Sequence, residues 1–174
     1  STTSATSVPR QPRVESLVPC PRWTLRDFAV GPILGRSRNP VFLARHVASG
    51  TRVALKRIPR DSLRVPSDAR LMCRELTIHA ALSAHPDAIA RLFGFFWDHA
   101  HIYLVLEHAD SGDLQAALSV APNGRLDERR AARIIASVAK ALQYCHNAGV
   151  AHRDVKPGNI LLYSPALDAK LTDF

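Results

Sequence analysis

The sequence predicts an α+β fold built in two unequal lobes, and three observations carry that prediction. Short apolar runs bounded by Gly, Pro, Ser and Asn fill residues 27–58 and 89–107. A single segment of helical period, 67–82, interrupts them. Beyond residue 110 the chain is mostly helical and closes on two short apolar runs. Strands segregated from helices give α+β rather than a regular β/α alternation.

Residues 1–22 are rich in Ser, Thr and Pro and carry no apolar period, which predicts a disordered tail. The tail bears Arg and few acids, as transit peptides do, but its prolines oppose the amphipathic helix such a peptide needs. Phe28–Leu34, Val41–His46 and Arg52–Ile58 read as strands, the last two joined as a hairpin by the turn at Gly50. Ser67 or Asp68 caps the helix 67–82, whose stripe is Leu71, Glu75, Ile78 and Leu82. Glu75 is a carboxylate on that apolar stripe and needs a cation or a hydrogen-bond donor. Ile89–Trp97 and Ile102–Glu107 are the next strands. Ser111-Gly112-Asp113 opens a short helix to Leu118. A long helix starts at the Asp127 cap and stops before Gly149, with Ala131, Ile134, Ile135, Val138, Leu142 and Cys145 as its apolar face. A loop at 152–159 leads to short strands at Ile160–Tyr163 and Ala169–Leu171.

Composition bounds the function. With 174 residues, 47% hydrophobic and 22% charged, the chain has a globular balance and suits one domain, or one domain plus a tail. No apolar run approaches the ~18 residues of a membrane helix. Cys20, Cys73 and Cys145 form no C-x-x-C pair, which speaks against a disulfide scaffold or zinc site and for a reducing compartment. The net charge of +8 is uneven: residues 31–75 alone carry +7. Such a block suits phosphate, nucleic acid, an acidic partner, or simply solvent. It lacks the interleaved aromatics of a nucleic-acid platform, so nucleic acid is the disfavoured partner. Only 4 of the 23 basic residues are Lys, so each lysine asks for a reason.

The densest polar cluster is His152-Arg153-Asp154-Val155-Lys156-Pro157-Gly158-Asn159, where Asp154, Lys156 and Asn159 could converge on one ligand. Asp173 comes just after a short strand, and a carboxylate with an amide from adjacent loops makes a hard-oxygen site suited to Mg²⁺. In Val53-Ala54-Leu55-Lys56, alternation puts Lys56 on the Ala54 side, an inner face where it needs an anion; Glu75 is the expected partner. His99 and His101 stand two apart with no third ligand nearby, as in a hairpin turn. His79 reads as a core histidine, with pH-sensitive tuning as the alternative.

These motifs resemble a eukaryotic Ser/Thr protein kinase. Val53-Ala54-Leu55-Lys56 resembles the lysine strand and Arg74-Glu75-Leu76 the helix acid. His152-Arg153-Asp154-x-Lys156-Pro157-x-Asn159 resembles the catalytic loop, and Thr172-Asp173-Phe174 the start of the metal-binding motif. Trp23-x-Leu25-x-Asp27-Phe28, Tyr103–Ala109 and Leu126-Asp127-Glu128-Arg129 are similar to Aurora-type kinases, with polo-type second through Ile78-His79 and Gly94-Phe95-Phe96.

The resemblance implies a two-lobed kinase fold, with 23–109 as the small lobe of five antiparallel strands and one helix plus the hinge. Residues 110–174 are the first part of an incomplete large lobe. It implies ATP and Mg²⁺ as cofactors. Asp154, Lys156, Lys56 and Glu75 are the catalytic set. Leu34, Gly35, Val41, Ala54, Lys56, Leu106, Glu107, Ala109 and Leu161 bind ATP; Asn159 and Asp173 bind metal. His152 packs on Phe174. The implied partners are a protein substrate and an activator docked on the small lobe. The implied place of work is the cytoplasm or nucleus, at spindle or chromatin.

Two departures qualify this. In Gly35-Arg36-Ser37-Arg38-Asn39-Pro40 only Gly35 matches the phosphate loop, and proline offers no amide. Arg36 and Arg38 either compensate by charge or face solvent. The resemblance also stops after Asp-Phe, about two-thirds through a kinase domain. The expectation is a partial sequence, inactive alone, whose long helix leaves an exposed, association-prone apolar face. A pseudokinase acting as a binding scaffold is the alternative function.

Overall fold

The structure is a computed structural model that describes residues 23–35, 38–164 and 168–174. The expected tail at 1–22, and Arg36 and Ser37, lie outside the described residues.

Five antiparallel strands form one sheet: β1 (Phe28–Gly35), β2 (Val41–His46), β3 (Arg52–Pro59), β4 (Leu92–Trp97) and β5 (His101–Glu107), in the order β1-β2-β3-β5-β4. Gly50, at φ +70°, sits in the tight β2–β3 turn, a conformation that glycine adopts without penalty. Strand β3 is buried on both faces. Val53 and Leu55 join Phe28, Phe96, Tyr103 and Val105 in one cluster, while Ala54 and Ile58 join Leu76, Leu92, Leu104 and Leu106 in the other. Lys56 lies beyond Ala54 on the second face, as the alternation required. The first cluster is tied by stacked rings, Phe28 on Phe96 at 5.4 Å and Phe96 on Tyr103 at 4.9 Å.

Helix α1 (Pro66–Leu82) covers the second face. Its cap differs from expectation. Val65 is the N-cap, Pro66 takes the first helical position where a missing N–H costs nothing, and the Asp68 carboxylate accepts from the Val65 N–H at 3.2 Å. Its buried residues are Leu76, Thr77, His79 and Leu82; Leu71 is 56% exposed and Glu75 is exposed. The buried stripe is therefore rotated from the expected one, because the sheet takes Leu76 and the Ala90 carbonyl takes His79, rather than Leu71 and Glu75 turning inward.

The strand expected from Ile89 begins only at Leu92. Residues 88–90 instead bond to the end of a two-stranded hairpin, β6 (Ile160–Tyr163) and β7 (Asp168–Leu171). Leu171 N–H donates to the Ala88 carbonyl at 3.0 Å, and Ala90 N–H to the Leu171 carbonyl at 2.9 Å. The sheet and the helical part are sewn together there.

Below the seam lie α2 (Leu114–Val120) and α3 (Glu128–Asn147). Asp113 and Asp127 cap them, accepting from Ala116 N–H at 2.8 Å and Arg130 N–H at 2.9 Å. Gly149, at φ +72°, ends α3. The expected exposed face of α3 needs correction. Ile134, Val138, Ala141 and Cys145 are buried against Ile89, Leu162, Ala169 and Leu171, which are at most 2% exposed. Of the predicted face, Ile135 is left largely in solvent, at 63%. Burying each such aliphatic side chain is worth about 1.5–3 kcal/mol, so the hairpin suffices to anchor this helix.

Candidate active site

The loop after α3 folds around His152, which is buried. Its Nε2–H donates to the Thr172 carbonyl at 2.9 Å, and its Nδ1 accepts from the Asp154 N–H at 3.3 Å. A carbonyl can only accept and an N–H only donate, so these two contacts fit the ring tautomer that carries its hydrogen on Nε2. The Phe174 ring lies 4.7 Å from His152 and 5.5 Å from His79, so the expected His152–Phe174 packing is present. Arg153 (φ 67°) and Asp173 (φ 62°) have left-handed backbones, a cost that non-glycine residues bear mainly where a side chain must be aimed.

Asp154 is the centre of the loop. Its Oδ2 accepts from Lys156 Nζ at 2.6 Å and from Asn159 Nδ2 at 2.9 Å. The Lys156 hydrogen bond, with a smaller contribution from Asn159, holds the carboxyl below the usual carboxylate range. Asn159 is buried, and its Nδ2 also donates to the Asp154 carbonyl at 2.9 Å. With the nitrogen so occupied, its amide oxygen is left as an acceptor.

Lys56 lies across the β ladder from Val41 on one side and Leu104 on the other. Its Nζ is 2.7 Å from Asp173 Oδ1. The expected Lys56–Glu75 ion pair is not formed: among the described residues Glu75 has none. Desolvation pushes the Glu75 carboxyl up, Lys56 pulls it down, and Asp173 pushes it up again. The reason is placement. The rotated α1 stripe leaves Glu75 at the cleft edge, while the strained backbone at Asp173 delivers the nearer carboxylate. A cavity of about 500 Å³ joins Arg38, Lys56, Glu75, Asp154 and Asp173. His79, as expected, is a core histidine. Its Nε2–H donates to the Ala90 carbonyl at 2.7 Å, and burial holds its pKa below the usual imidazole range.

Of the predicted nucleotide residues only Lys56 lines this cavity; the others sit along β1, β2, β3, the hinge and β6. Ala54 pairs with Leu43 on one side and Leu106 on the other, and both Ala54 and Leu106 are buried. Leu34 and Gly35 end β1, with Gly35 opposite Val41. Leu161 bridges to Asp113 below. Glu107 N–H is already bonded to the Arg91 carbonyl at 2.8 Å, but the Ala109 N–H has no acceptor among the described residues.

Sequence reasoning missed one contact in this hinge. Glu107 Oε1 accepts from Lys170 Nζ at 2.5 Å, and its Oε2 accepts from the Arg91 N–H at 3.0 Å. Lys170 also lies 4.4 Å from the centre of the Tyr163 ring. The scarcity of lysine was the one available signal. His99 and His101 belong to a turn organised by Asp98, whose Oδ1 accepts from Ala100 N–H at 2.8 Å and His101 N–H at 2.7 Å. Among the described residues no group of three or more His, Cys, Asp or Glu is placed to hold a metal. None of their helices is long and apolar enough to cross a membrane.

A five-stranded sheet with one helix, hinged to a helical part and carrying Lys56, Asp154, Asn159 and Asp173 at the seam, defines a protein kinase cleft. The chain belongs to the protein kinase family: the family profile described as "Protein kinase domain" matches residues 29–174. It is 46% identical to Aurora kinase B of Drosophila melanogaster over 153 residues, which are 87% of this chain and 46% of that protein. It is 42% identical to Serine/threonine-protein kinase Aurora-1 of Arabidopsis thaliana over 154 residues, 88% of this chain and 51% of that protein. It is 38% identical to Aurora kinase A-A of Xenopus laevis over 154 residues, 88% of this chain and 37% of that protein. The chain thus resembles Aurora-type Ser/Thr kinases and spans about half the length, or less, of these relatives.

Proposed function

We propose that the protein to which this chain belongs is an ATP-dependent serine/threonine kinase, transferring the γ-phosphate to protein Ser or Thr hydroxyls. The observation that supports this most is the Asp154 network. An ionised, exposed carboxylate held by Lys156 and Asn159 opens onto the same cavity as Lys56 and Asp173. On this reading 23–109 is the small lobe with its hinge, and 110–174 the beginning of the large lobe.

The donor chemistry fits Mg²⁺. Asn159 offers an amide oxygen and Asp173 a carboxylate, and a hard ion that keeps water and phosphate ligands needs few protein oxygens. When bound, the ion neutralises charge on the phosphates. Lys56 holds the α- and β-phosphates, and Glu75 holds Lys56 once nucleotide has displaced it from Asp173. Asp154 orients the substrate hydroxyl and takes its proton, with Oδ2 already engaged by Lys156 and Asn159. Lys156 lowers the negative charge on the group in transfer. Val41 and Ala54 cover the adenine and Leu161 supports it. Leu106 stands behind it, and the Glu107 carbonyl and Ala109 N–H meet its edge. Leu34 and Gly35 close the phosphate side.

An activator fits the groove of about 270 Å³ between α1 and β4, lined by Leu63, Met72, Leu76, Phe95 and Trp97. The Aurora likeness supports cytoplasmic or nuclear work at spindle or chromatin. The pseudokinase reading is favoured by one observation, the phosphate loop in which Pro40 replaces an amide. Phosphate transfer to a Ser/Thr peptide, compared between wild type and Asp154→Asn, decides between them. The kinase reading expects a loss of about 10²–10⁴ in rate with nucleotide binding retained. Nucleotide-independent peptide binding with no transfer by wild type would establish the scaffold instead.

A further inference from the structure

We propose that Arg38 is a phosphate-binding residue of the nucleotide site, its side chain standing in for the backbone N–H that Pro40 lacks. The inference rests on the nucleotide reading of the cleft. A loop that grips phosphate through its backbone needs N–H groups that approach closely. Here Pro40 has no N–H, and Gly35 is the loop's one glycine. No protein atom crowds Gly35, since a Cβ there would meet only Val41 Cβ at 4.0 Å.

Arg38 is placed to compensate. It lines the cavity that also holds Lys56, Asp154 and Asp173. Its segment is fastened to β3, with Arg57 N–H donating to the Pro40 carbonyl at 2.9 Å and Val41 paired with Lys56. The two cations therefore border one space, Arg38 from the β1–β2 loop and Lys56 from β3. Asp68, Glu75, Asp154 and Asp173 line the same cavity, yet Arg38 has no ion pair or hydrogen bond among the described residues. An exposed, unpaired guanidinium at a cavity's edge, with five donors in a planar fork, suits the bidentate capture of a phosphate group. The ligand class is a nucleoside polyphosphate, recognised through its phosphates rather than its base.

Binding of MgATP and of adenosine to the protein, its Arg38→Ala and Arg38→Lys variants, at low and high salt, tests this. Arg38→Ala should weaken MgATP by about tenfold, the size of one charge-assisted hydrogen bond, and leave adenosine within about twofold. Its MgATP affinity should also depend less steeply on salt, and Arg38→Lys should recover part of the loss. Unchanged MgATP affinity in Arg38→Ala, or an equal loss for adenosine, overturns the assignment while the nucleotide reading stands. If wild type binds neither ligand, the nucleotide reading fails and the role of Arg38 falls with it.

Discussion

Lys56 Nζ lies 2.7 Å from Asp173 Oδ1, and Glu75, on the same cavity, has no ion-pair partner among the described residues. The pair is partly open to water, with side chains 17% and 42% exposed. Exposed pairs are worth roughly 0–1 kcal/mol, whereas micromolar nucleotide binding releases about 8 kcal/mol. On the proposed kinase reading a polyphosphate can therefore separate the two, with Lys56 turning to phosphate and Asp173 to metal.

Glu75→Gln separates structural from functional roles. Desolvation raises the folded carboxyl pKa above its unfolded value, so Glu75 binds its proton more tightly when folded. Its contribution to stability is thus present in acid and lost as pH rises from about 4.5 through the folded value. At neutral pH Glu75→Gln should leave Tm unchanged or slightly raised, while peptide phosphorylation falls by at least about tenfold, or ~1.4 kcal/mol in barrier. Thermal melts from acid to neutral pH check the first part. A clear drop in Tm at neutral pH would mean that Glu75 already holds Lys56.

Lys156→Met tests the tuning of Asp154. Lys156 is the largest cause of the depressed Asp154 pKa. Removing it should move that pKa up toward 3.8, as read by NMR titration of the carboxyl resonance. A depressed folded pKa adds stability that is present above the unfolded value and lost as pH falls through the folded one. Both side chains are more than half exposed, so the melting curve at neutral pH should hardly move. An unmoved Asp154 pKa would contradict the network.

Lys170→Met probes the hinge. Glu107 and Lys170 side chains are 22% and 15% exposed, and removing the cation leaves a half-buried carboxylate with only the Arg91 N–H. The expected destabilisation is about 1–3 kcal/mol by denaturant unfolding, below the ~3–5 kcal/mol of a fully buried pair. Adding Glu107→Gln should recover part of it. No change in the single variant would show the pair to be a dispensable surface contact.

Much of this molecule is written locally. The β2–β3 turn at Gly50, the Asp113 and Asp127 caps and the α3 stop at Gly149 all obey short-range steric and hydrogen-bond rules, so the α+β order could be read from the chain. The loop at 152–159 was legible for a similar reason: Asp154, Lys156 and Asn159 lie within six consecutive residues, and both Lys156 and Asn159 bond to Asp154. Alternation likewise put Lys56 beside Ala54 on the α1 side of the sheet.

What alternation could not supply was the carboxylate that Lys56 meets. Asp173 is 117 residues away and Glu75 only nineteen, and chain separation carries no information about distance in the folded state. A rotation of α1 that buries Leu76 and His79 rather than Leu71 and Glu75 settled the choice. Long-range packing likewise drew residues 88–90 off the sheet onto Leu171 and set Lys170 against Glu107. Backbone and capping preferences act over a few residues and so fix the elements. The pairing of charges depends on how those elements rotate against each other, which only the assembled cores determine.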